Sequence, residues 1–350
     1  MKEKMLISKL LKVKGSKTPI WIMRQAGRYL PEYRKVRSNF KDFMHFCLTP
    51  HAAAEVTVQP LMRFDLDAAI IFSDILIIPK ALGMDVQFIE SIGPVLKNIE
   101  TEQEVKKFEN FDIDVFNKVG QAIKLTKTEL QANHPGKTLI GFAGAPFTIA
   151  AYMIEGRGSK DFAKVRKFAV SYPKAFEKLL DIITQATIEY LKVQILNGAE
   201  VIKLFDSWAG SVPFGDFENH VIKPISKITE ALKLQSPAIP IIIFARNSGV
   251  KLKRFNELSS HNALAIDQYA DLEWCYNNLT INQAEPVLQG NLDNALLAYG
   301  DFNSIKNAAE KILSQAQSKH LIFNLGHGIL PTTPIDNVKY LIDIVKNFKW

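Results

Sequence analysis

Two cysteines among 350 residues, Cys47 and Cys275, stand far apart and form no C-x-x-C. They support neither a disulfide framework nor a cysteine-rich zinc site, and they fit a reducing compartment. The seven histidines show no H-x-x-x-H or H-E-x-x-H spacing, so the metal-binding signatures carried by one helix face are missing too. No run of about 18 apolar residues occurs, which argues against a membrane-spanning helix. The first residues, M-K-E-K-M-L-I-S-K-L-L-K, interleave charge with apolar positions and offer no small-residue cleavage site. The expectation is a cytoplasmic protein without a signal peptide.

Nucleotide-binding signatures are equally scarce. No G-x-G-x-x-G follows a strand pattern, so a Rossmann domain is not indicated. Gly136-Lys137-Thr138 imitates the end of a Walker A loop, yet Gln131 stands where that loop needs glycine. The tripeptide also precedes a strand pattern and not a helix, so the phosphate-loop reading fails twice. The net charge of +7 raises the question of nucleic acid. The lysines are nevertheless spread along the chain among acids, with no block of five or six like charges, which reads as solvated surface.

What is present is arginine in one place. Only nine of the 43 basic residues are arginines, and four of those, Arg24, Arg28, Arg34 and Arg37, fall within fourteen residues. A lysine-rich chain that keeps guanidinium here uses its planar fork, which grips carboxylate or phosphate through two hydrogen bonds. A polyanionic ligand follows as the first expectation. Arg24 and Arg28 would share a face if helical; in a loop containing Gly27, backbone N–H groups would assist them. The plainer alternative is a surface ion pair with Glu32 or another acid.

The composition, 47% hydrophobic and 23% charged, provides for a large core. Short apolar runs recur, each ending in a polar or glycine-containing corner: 66–72, 138–142, 200–205, 239–244, 263–266, 286–289 and 320–323. Such near-continuous runs suit parallel strands buried on both faces. Helical stretches lie between them. Thr101 to Glu104 reads as a capping box, Pro173 to Leu196 as a long helix stopped by Asn197-Gly198, and Thr333-Pro334 as a cap and first-turn proline before a helix over 335–348. The alternation predicts a parallel α/β fold, a single-domain (β/α)₈ TIM barrel with residues 1–65 as an N-terminal extension with helices and 66–350 as the barrel. Either Asp85–Ile89 or Pro19–Met23 is available as the eighth strand.

In such barrels function gathers at the C-terminal strand ends. Here those positions carry Asp74, Ser207, Arg246, Asp267, Asn291 and His327, with Arg24 and Arg28 after the 19–23 run. Asp74 is read equally as a helix cap or as a group in the barrel mouth; Ser73 could serve as the cap and free it. His327 lies between Gly326 and Gly328, which allow close backbone approach to a ligand. Ser207 lacks a G-x-S-x-G elbow, so it reads as a hydrogen-bonding group and not a nucleophile. Tyr152 is followed by Gly156-Arg157-Gly158-Ser159, read as a mobile loop able to cover a site.

These segments together resemble one family. M-R-Q-A-G-R-Y-L-P-E-Y-R, I-I-F-S-D-I-L, G-F-A-G-A-P-F-T, A-Y-M-I-E-G, L-F-D-S-W-A-G and N-L-G-H-G-I-L-P-T-T-P occur in the order found in uroporphyrinogen decarboxylases, from residue 19 to 334. The F-D-S-W-A-G block is similar to the bacterial or plastid branch. The resemblance implies a cofactor-free barrel, working as a homodimer with facing clefts, that removes four acetate carboxyl groups from uroporphyrinogen III to give coproporphyrinogen III. It implies Asp74, Arg37 and Arg28 as catalytic residues. Arg24, Gln25, Ala26, Gly27, Arg28, Phe43, Asp74, Tyr152, Ser207 and His327 are implied as substrate-binding. No metal, nucleic acid or membrane partner is implied. Two competing readings remain: zinc-dependent methyl transfer on the same barrel, and a basic nucleic-acid-binding protein.

Overall fold

The computed structural model describes residues 3–90, 92–258, 260–317 and 319–349. Its strands are β1 (Ala68–Ile70), β2 (Val86–Ile89), β3 (Gly93–Leu96), β4 (Thr138–Gly144), β5 (Val201–Asp206), β6 (Ile241–Ala245), β7 (Ala263–Ala265), β8 (Val287–Leu292) and β9 (His320–Leu325). Seven of them form one parallel sheet in the order β1-β4-β5-β6-β7-β8-β9. Each of these strands is almost wholly buried because the sheet has side chains packed on one face and helices on the other.

The two edges of that sheet meet the same piece of chain. Phe323 N–H donates to Pro19 O at 2.8 Å, and Asp67 N–H donates to Ile20 O at 2.8 Å. The Pro19–Met23 run therefore lies between β9 and β1 and completes the curled sheet as its eighth stave, with Ile20 in a parallel bridge to Phe323. Asp67, only 2% exposed, fastens the joint. Its carboxylate accepts from Ile20 N–H at 2.8 Å and from Lys346 Nζ at 2.6 Å, so the first stave, β1 and the last helix are tied at one point. The other candidate stave, 85–89, pairs with β3 as an antiparallel hairpin outside the sheet.

The helices follow their sequence signals with two differences. Pro173–Leu196 forms one helix over those residues, and the last helix spans Ile335–Asn347. Pro334 itself takes the N-cap position, one residue earlier than the predicted first-turn place, and Thr333 makes no cap bond. The Thr101–Glu104 box is formed, with Glu104 accepting from Thr101 N–H at 3.1 Å, yet the helix it opens is only Glu102–Val105 before a 3₁₀ turn.

The barrel interior holds one unexpected group. Lys203, on β5, is fully buried with its Nζ lacking a hydrogen-bond partner. It lies over the rings of Trp21 (4.9 Å), Phe205 (5.0 Å) and Phe244 (5.5 Å), which favours the ammonium through its attraction to the aromatic faces. Burial pulls its pKa well below the usual lysine value. No helix among the described residues is long and apolar enough to cross a membrane.

Candidate functional site

Arg24 does not sit on a helix. It has φ of +64°, the left-handed region, and residues 24–30 run as a succession of turns with Gln25 N–H donating to Ile22 O and Leu30 N–H to Gly27 O. Gly27 is required sterically, since a Cβ there would lie 2.8 Å from Arg24 O. Gln25 is completely buried: its Oε1 accepts from Ile22 N–H at 3.0 Å and its Nε2 donates to Ala68 O at 2.9 Å. Its side chain thus serves to hold the loop on β1, and Ala26 is buried beside it. Arg24 and Arg28, by contrast, are exposed. Neither forms an ion pair among the described residues; the carboxylate of Glu32 goes to Arg63 instead, at 2.8 Å. The plainer alternative, a surface ion pair for these two arginines, is therefore not found among the described residues.

The cluster divides by role. Arg34 donates to the backbone carbonyls of Arg28 (2.6 Å) and Tyr29 (3.2 Å), which fixes the turn. Arg37 donates to Phe40 O and lies over the rings of Phe43 (5.7 Å) and Phe46 (5.9 Å). Phe43 in turn packs on Phe72 at 6.0 Å and on Phe88 of the outer hairpin at 4.4 Å. An aromatic wall thus runs from the arginine segment to the end of β1.

Asp74 lies just beyond β1. One oxygen, Oδ1, accepts from Leu76 N–H at 2.8 Å. Ser73 does not cap the following helix; its hydroxyl is 3.2 Å from Tyr190 Oη, and the helix Ile77–Ala81 has no side-chain cap at all. Of the two readings left open for Asp74, the one in which Ser73 caps the helix and frees it is not realised: the carboxylate takes the turn amide with one oxygen. Burial raises the Asp74 pKa, opposed by the Leu76 N–H and the charge of Arg24. Burial and then the charge of Asp74 push Tyr152 up to about 12, with Arg24 acting the other way. Tyr33 feels Asp74 as well as Arg28 and Arg37. Asp74 is accordingly within electrostatic reach of Arg24, Tyr152 and Tyr33.

Tyr152 stands on the helix Pro146–Glu155, which follows β4, and its ring stacks on Trp208 at 3.9 Å. Trp208 follows Ser207 at the end of β5. Its N–H donates to Thr148 Oγ1 at 3.1 Å, and that hydroxyl donates to buried Asp206 at 2.5 Å. Burial raises Asp206 to about 7, against the hydrogen bond from Thr148. Ser207 itself is half-buried beside this stack. The loop at 156–159 is tied at its start: Leu96 N–H donates to Gly156 O at 2.7 Å, and Arg157 bridges Val95.

On the opposite side, His327 follows β9. Burial, then the nearby charges of Arg24 and Arg246, hold its pKa down to about 3, so the imidazole is neutral. Met23 N–H donates to Asn324 Oδ1 at 3.0 Å and Ile329 N–H to Met23 O at 2.9 Å, which fixes His327 against the arginine segment. Two members of this arrangement were not singled out from the sequence, Trp208 and Tyr33, whereas Arg246 stood among the strand-end positions without an assigned role. Trp208 lay inside the F-D-S-W-A-G block, and Tyr33 inside the arginine segment; neither has a spacing that announces an aromatic wall. Two shallow depressions elsewhere, centred on Asp112–Gln121 and on Pro50–Thr128, lie on outer helices and include none of the strand-end residues.

A parallel α/β barrel whose mouth carries unpaired guanidiniums, one recessed carboxylate and a neutral histidine defines a class: a barrel protein built to receive a polyanion. The chain belongs to the uroporphyrinogen decarboxylase family, whose model matches residues 1–348. It is 43% identical over 345 residues to the uroporphyrinogen decarboxylase of Rickettsia bellii, covering 99% of each chain. It is likewise 43% identical over 350 residues to that of Wolbachia pipientis, again with 99% of each covered. Among solved structures it resembles a methyltransferase from Methanosarcina mazei, with a TM-score of 0.77, 18% identity and 98% of each chain covered. A B12-independent methionine synthase from a Shewanella species aligns with a TM-score of 0.55 at 10% identity, covering 94% of each. At those identities the likeness shows the barrel fold alone.

Proposed function

We propose that this chain decarboxylates the four acetate side chains of uroporphyrinogen III, releasing four CO₂ and coproporphyrinogen III, without a cofactor, as a step of haem biosynthesis. The observation that carries this reading is the recessed Asp74 carboxylate, with one oxygen bound to Leu76 N–H, set among Arg24, Tyr152 and Tyr33. A porphyrinogen presents four pyrrole N–H groups toward its centre, and one carboxylate oxygen left outside the turn can accept them together. Its eight carboxylates call for guanidiniums around the rim, which Arg24 and Arg28 supply without an ion pair among the described residues.

The chemistry needs an electron sink, and the substrate has one. Protonation of a pyrrole carbon makes a cation; the C–C bond to the carboxylate breaks, its electron pair flows into that ring, and CO₂ leaves. A second proton delivered to the exocyclic carbon makes the methyl group, and loss of the first proton from the ring carbon restores the pyrrole, so that each acetate consumes one net proton. Asp74 stabilises the cation electrostatically, where low surrounding dielectric strengthens the effect. Arg37 or Arg28, or a water held by one of them, delivers the proton. His327 and Tyr152 orient carboxylates, Ser207 adds a hydrogen bond, Phe43 lines the wall, and the backbone of Gln25, Ala26 and Gly27 shapes the arginine turn.

The zinc-dependent methyl-transfer reading is not favoured. Cys47 and Cys275 are both buried thiols, and no group of three or more His, Cys, Asp or Glu among the described residues is arranged to hold a metal. The same proposal includes a cytoplasmic homodimer with no nucleic-acid partner. Anaerobic incubation of the purified protein with uroporphyrinogen III, followed by oxidation and chromatography of the porphyrins, tests it. Stepwise loss of four carboxyl groups is expected, and an unchanged octacarboxylate would contradict it.

A further inference from the structure

The arginine segment supplies only one side of the mouth, yet a tetrapyrrole bearing eight carboxylates projects anions in every direction. Arg246, directly after β6, stands on another side. Its backbone is fixed at both ends of the peptide: its N–H donates to Asp206 O at 3.0 Å, and its carbonyl accepts from Gly210 N–H at 3.0 Å. The next residue, Asn247, has φ of +57° and donates its N–H to Asp267 Oδ2 at 2.6 Å. Gly210 packs so closely under this turn that a Cβ would lie 2.5 Å from Asn247 O. The turn after β6 is thus held from β5 and from the end of β7.

The side chain on that fixed turn has no protein anion to bind. Arg246 forms no ion pair among the described residues, and its Nε–H is buried without a hydrogen-bond acceptor. The two acids joined to this turn, Asp206 and Asp267, make no ion pair with the guanidinium. Both oxygens of Asp267 accept backbone N–H groups, from Asn247 and from Tyr269 at 3.0 Å. Asp206 is sealed in the interior with Oδ1 on Thr148, and its Oδ2 forms no hydrogen bond to the guanidinium. A buried, unmet guanidinium donor is costly, and its natural partner is a planar oxyanion from outside. Across from it, His327 lies within electrostatic range of both Arg246 and Arg24.

We propose that Arg246 is a second carboxylate clamp of the site, gripping a substrate carboxylate from the β6 side while Arg24 holds another beside His327. The neutral imidazole between them acts as a hydrogen-bonding spacer, leaving the two guanidiniums to neutralise separate carboxylates. This deepens the reading of the function given above and rests on it for the identity of the anion.

The test measures anaerobic binding of uroporphyrinogen III by quenching of tryptophan fluorescence, since Trp208 stands in the mouth. Asp74→Asn provides a background in which turnover is too slow to consume the ligand within the binding measurement, and the comparison is with Asp74→Asn/Arg246→Ala and Asp74→Asn/Arg246→Lys. Loss of one charge-assisted hydrogen-bonded pair weakens binding about tenfold to a hundredfold. Lysine, which keeps charge but not the planar fork, should recover only part of that loss. In the otherwise unchanged protein, Arg246→Ala should raise KM by a similar factor while kcat changes by less than about threefold. Thermal midpoints within a few degrees of the parent keep these effects separate from unfolding. Equal affinity in the alanine double variant would overturn the clamp, as would a loss confined to kcat. Failure of the unsubstituted protein to release CO₂ would instead contradict the function, while a binding loss at Arg246 would still identify the anion seat.

Discussion

Arg24 crosses the face of Gly328 so closely that a Cβ on residue 328 would lie 2.9 Å from the arginine's Cγ and 3.0 Å from its Nε. The glycine after His327 is therefore part of what aims the guanidinium. Substituting Gly328→Ala should displace the Arg24 side chain and leave the barrel folded. The expected outcome is a KM for uroporphyrinogen raised about tenfold, the scale of one weakened charge-assisted contact, with a thermal midpoint close to the parent. An unchanged KM would show that the position of Arg24 does not matter for binding.

His327 should not appear in the pH dependence as an ordinary histidine. Burial and the two flanking arginines hold its pKa to about 3, so it stays neutral throughout the range in which the enzyme works. A kcat/KM profile between pH 5 and 9 should keep the same shape in His327→Gln, whatever happens to its height. Disappearance of an inflection near pH 6.5 in that variant would contradict the assignment.

Lys203 predicts a stability effect inside the barrel. Its folded-state pKa is depressed far below the 10.5 of an exposed lysine. Between those two values the unfolded chain binds the extra proton, so stability rises as pH rises through the window and levels off above about 10.5. Lys203→Met fills similar volume without a polar end. It should stabilise the protein by about 1–3 kcal/mol at pH 7 and flatten the rise toward pH 10 in urea titrations. Equal slopes in the two proteins would contradict this.

The closure of the barrel depends on Asp67. Asp67→Ala removes the acceptor for Ile20 N–H and leaves Lys346 only its longer ion pair with Asp65, at 3.6 Å, only 2% of the aspartate being exposed. A loss of about 1–3 kcal/mol is expected from chemical denaturation, chiefly from the unsatisfied Ile20 N–H, together with faster hydrogen exchange in residues 19–23. Slow exchange of that segment in the variant would show that the joint is held by other contacts.

Much of this architecture was legible in the chain. The buried strands announce themselves as apolar runs such as 138–142 and 263–266, because a stave covered on both faces has no polar alternation to confuse the pattern. The arginine cluster at 24–37 and the strand-end carboxylate Asp74 were readable for the same reason: they interrupt a pattern. The eighth stave was not decided by pattern, since 19–23 and 85–89 are equally short; long-range hydrogen bonds from Asp67 and Phe323 select the first. Nor could spacing divide the arginines. Arg34 is spent on two carbonyls and Arg37 is held by one carbonyl and two rings, while Arg24 and Arg28 form no ion pair among the described residues, a distinction made by tertiary contacts. Lys203 escaped notice because one lysine within V-I-K-L-F looks like an interruption at the strand edge, whereas the barrel turns it inward onto three aromatic rings.

The central claim is that the Asp74 carboxylate stabilises the positive charge that develops on the substrate. The most direct measurement is single-turnover conversion of uroporphyrinogen III to the heptacarboxylate by the unsubstituted protein and by Asp74→Asn, with folding confirmed by circular dichroism. Removal of a charge that acts on the transition state should slow this first decarboxylation by about 10²–10³ or more. A rate within a few-fold of the parent would contradict the account.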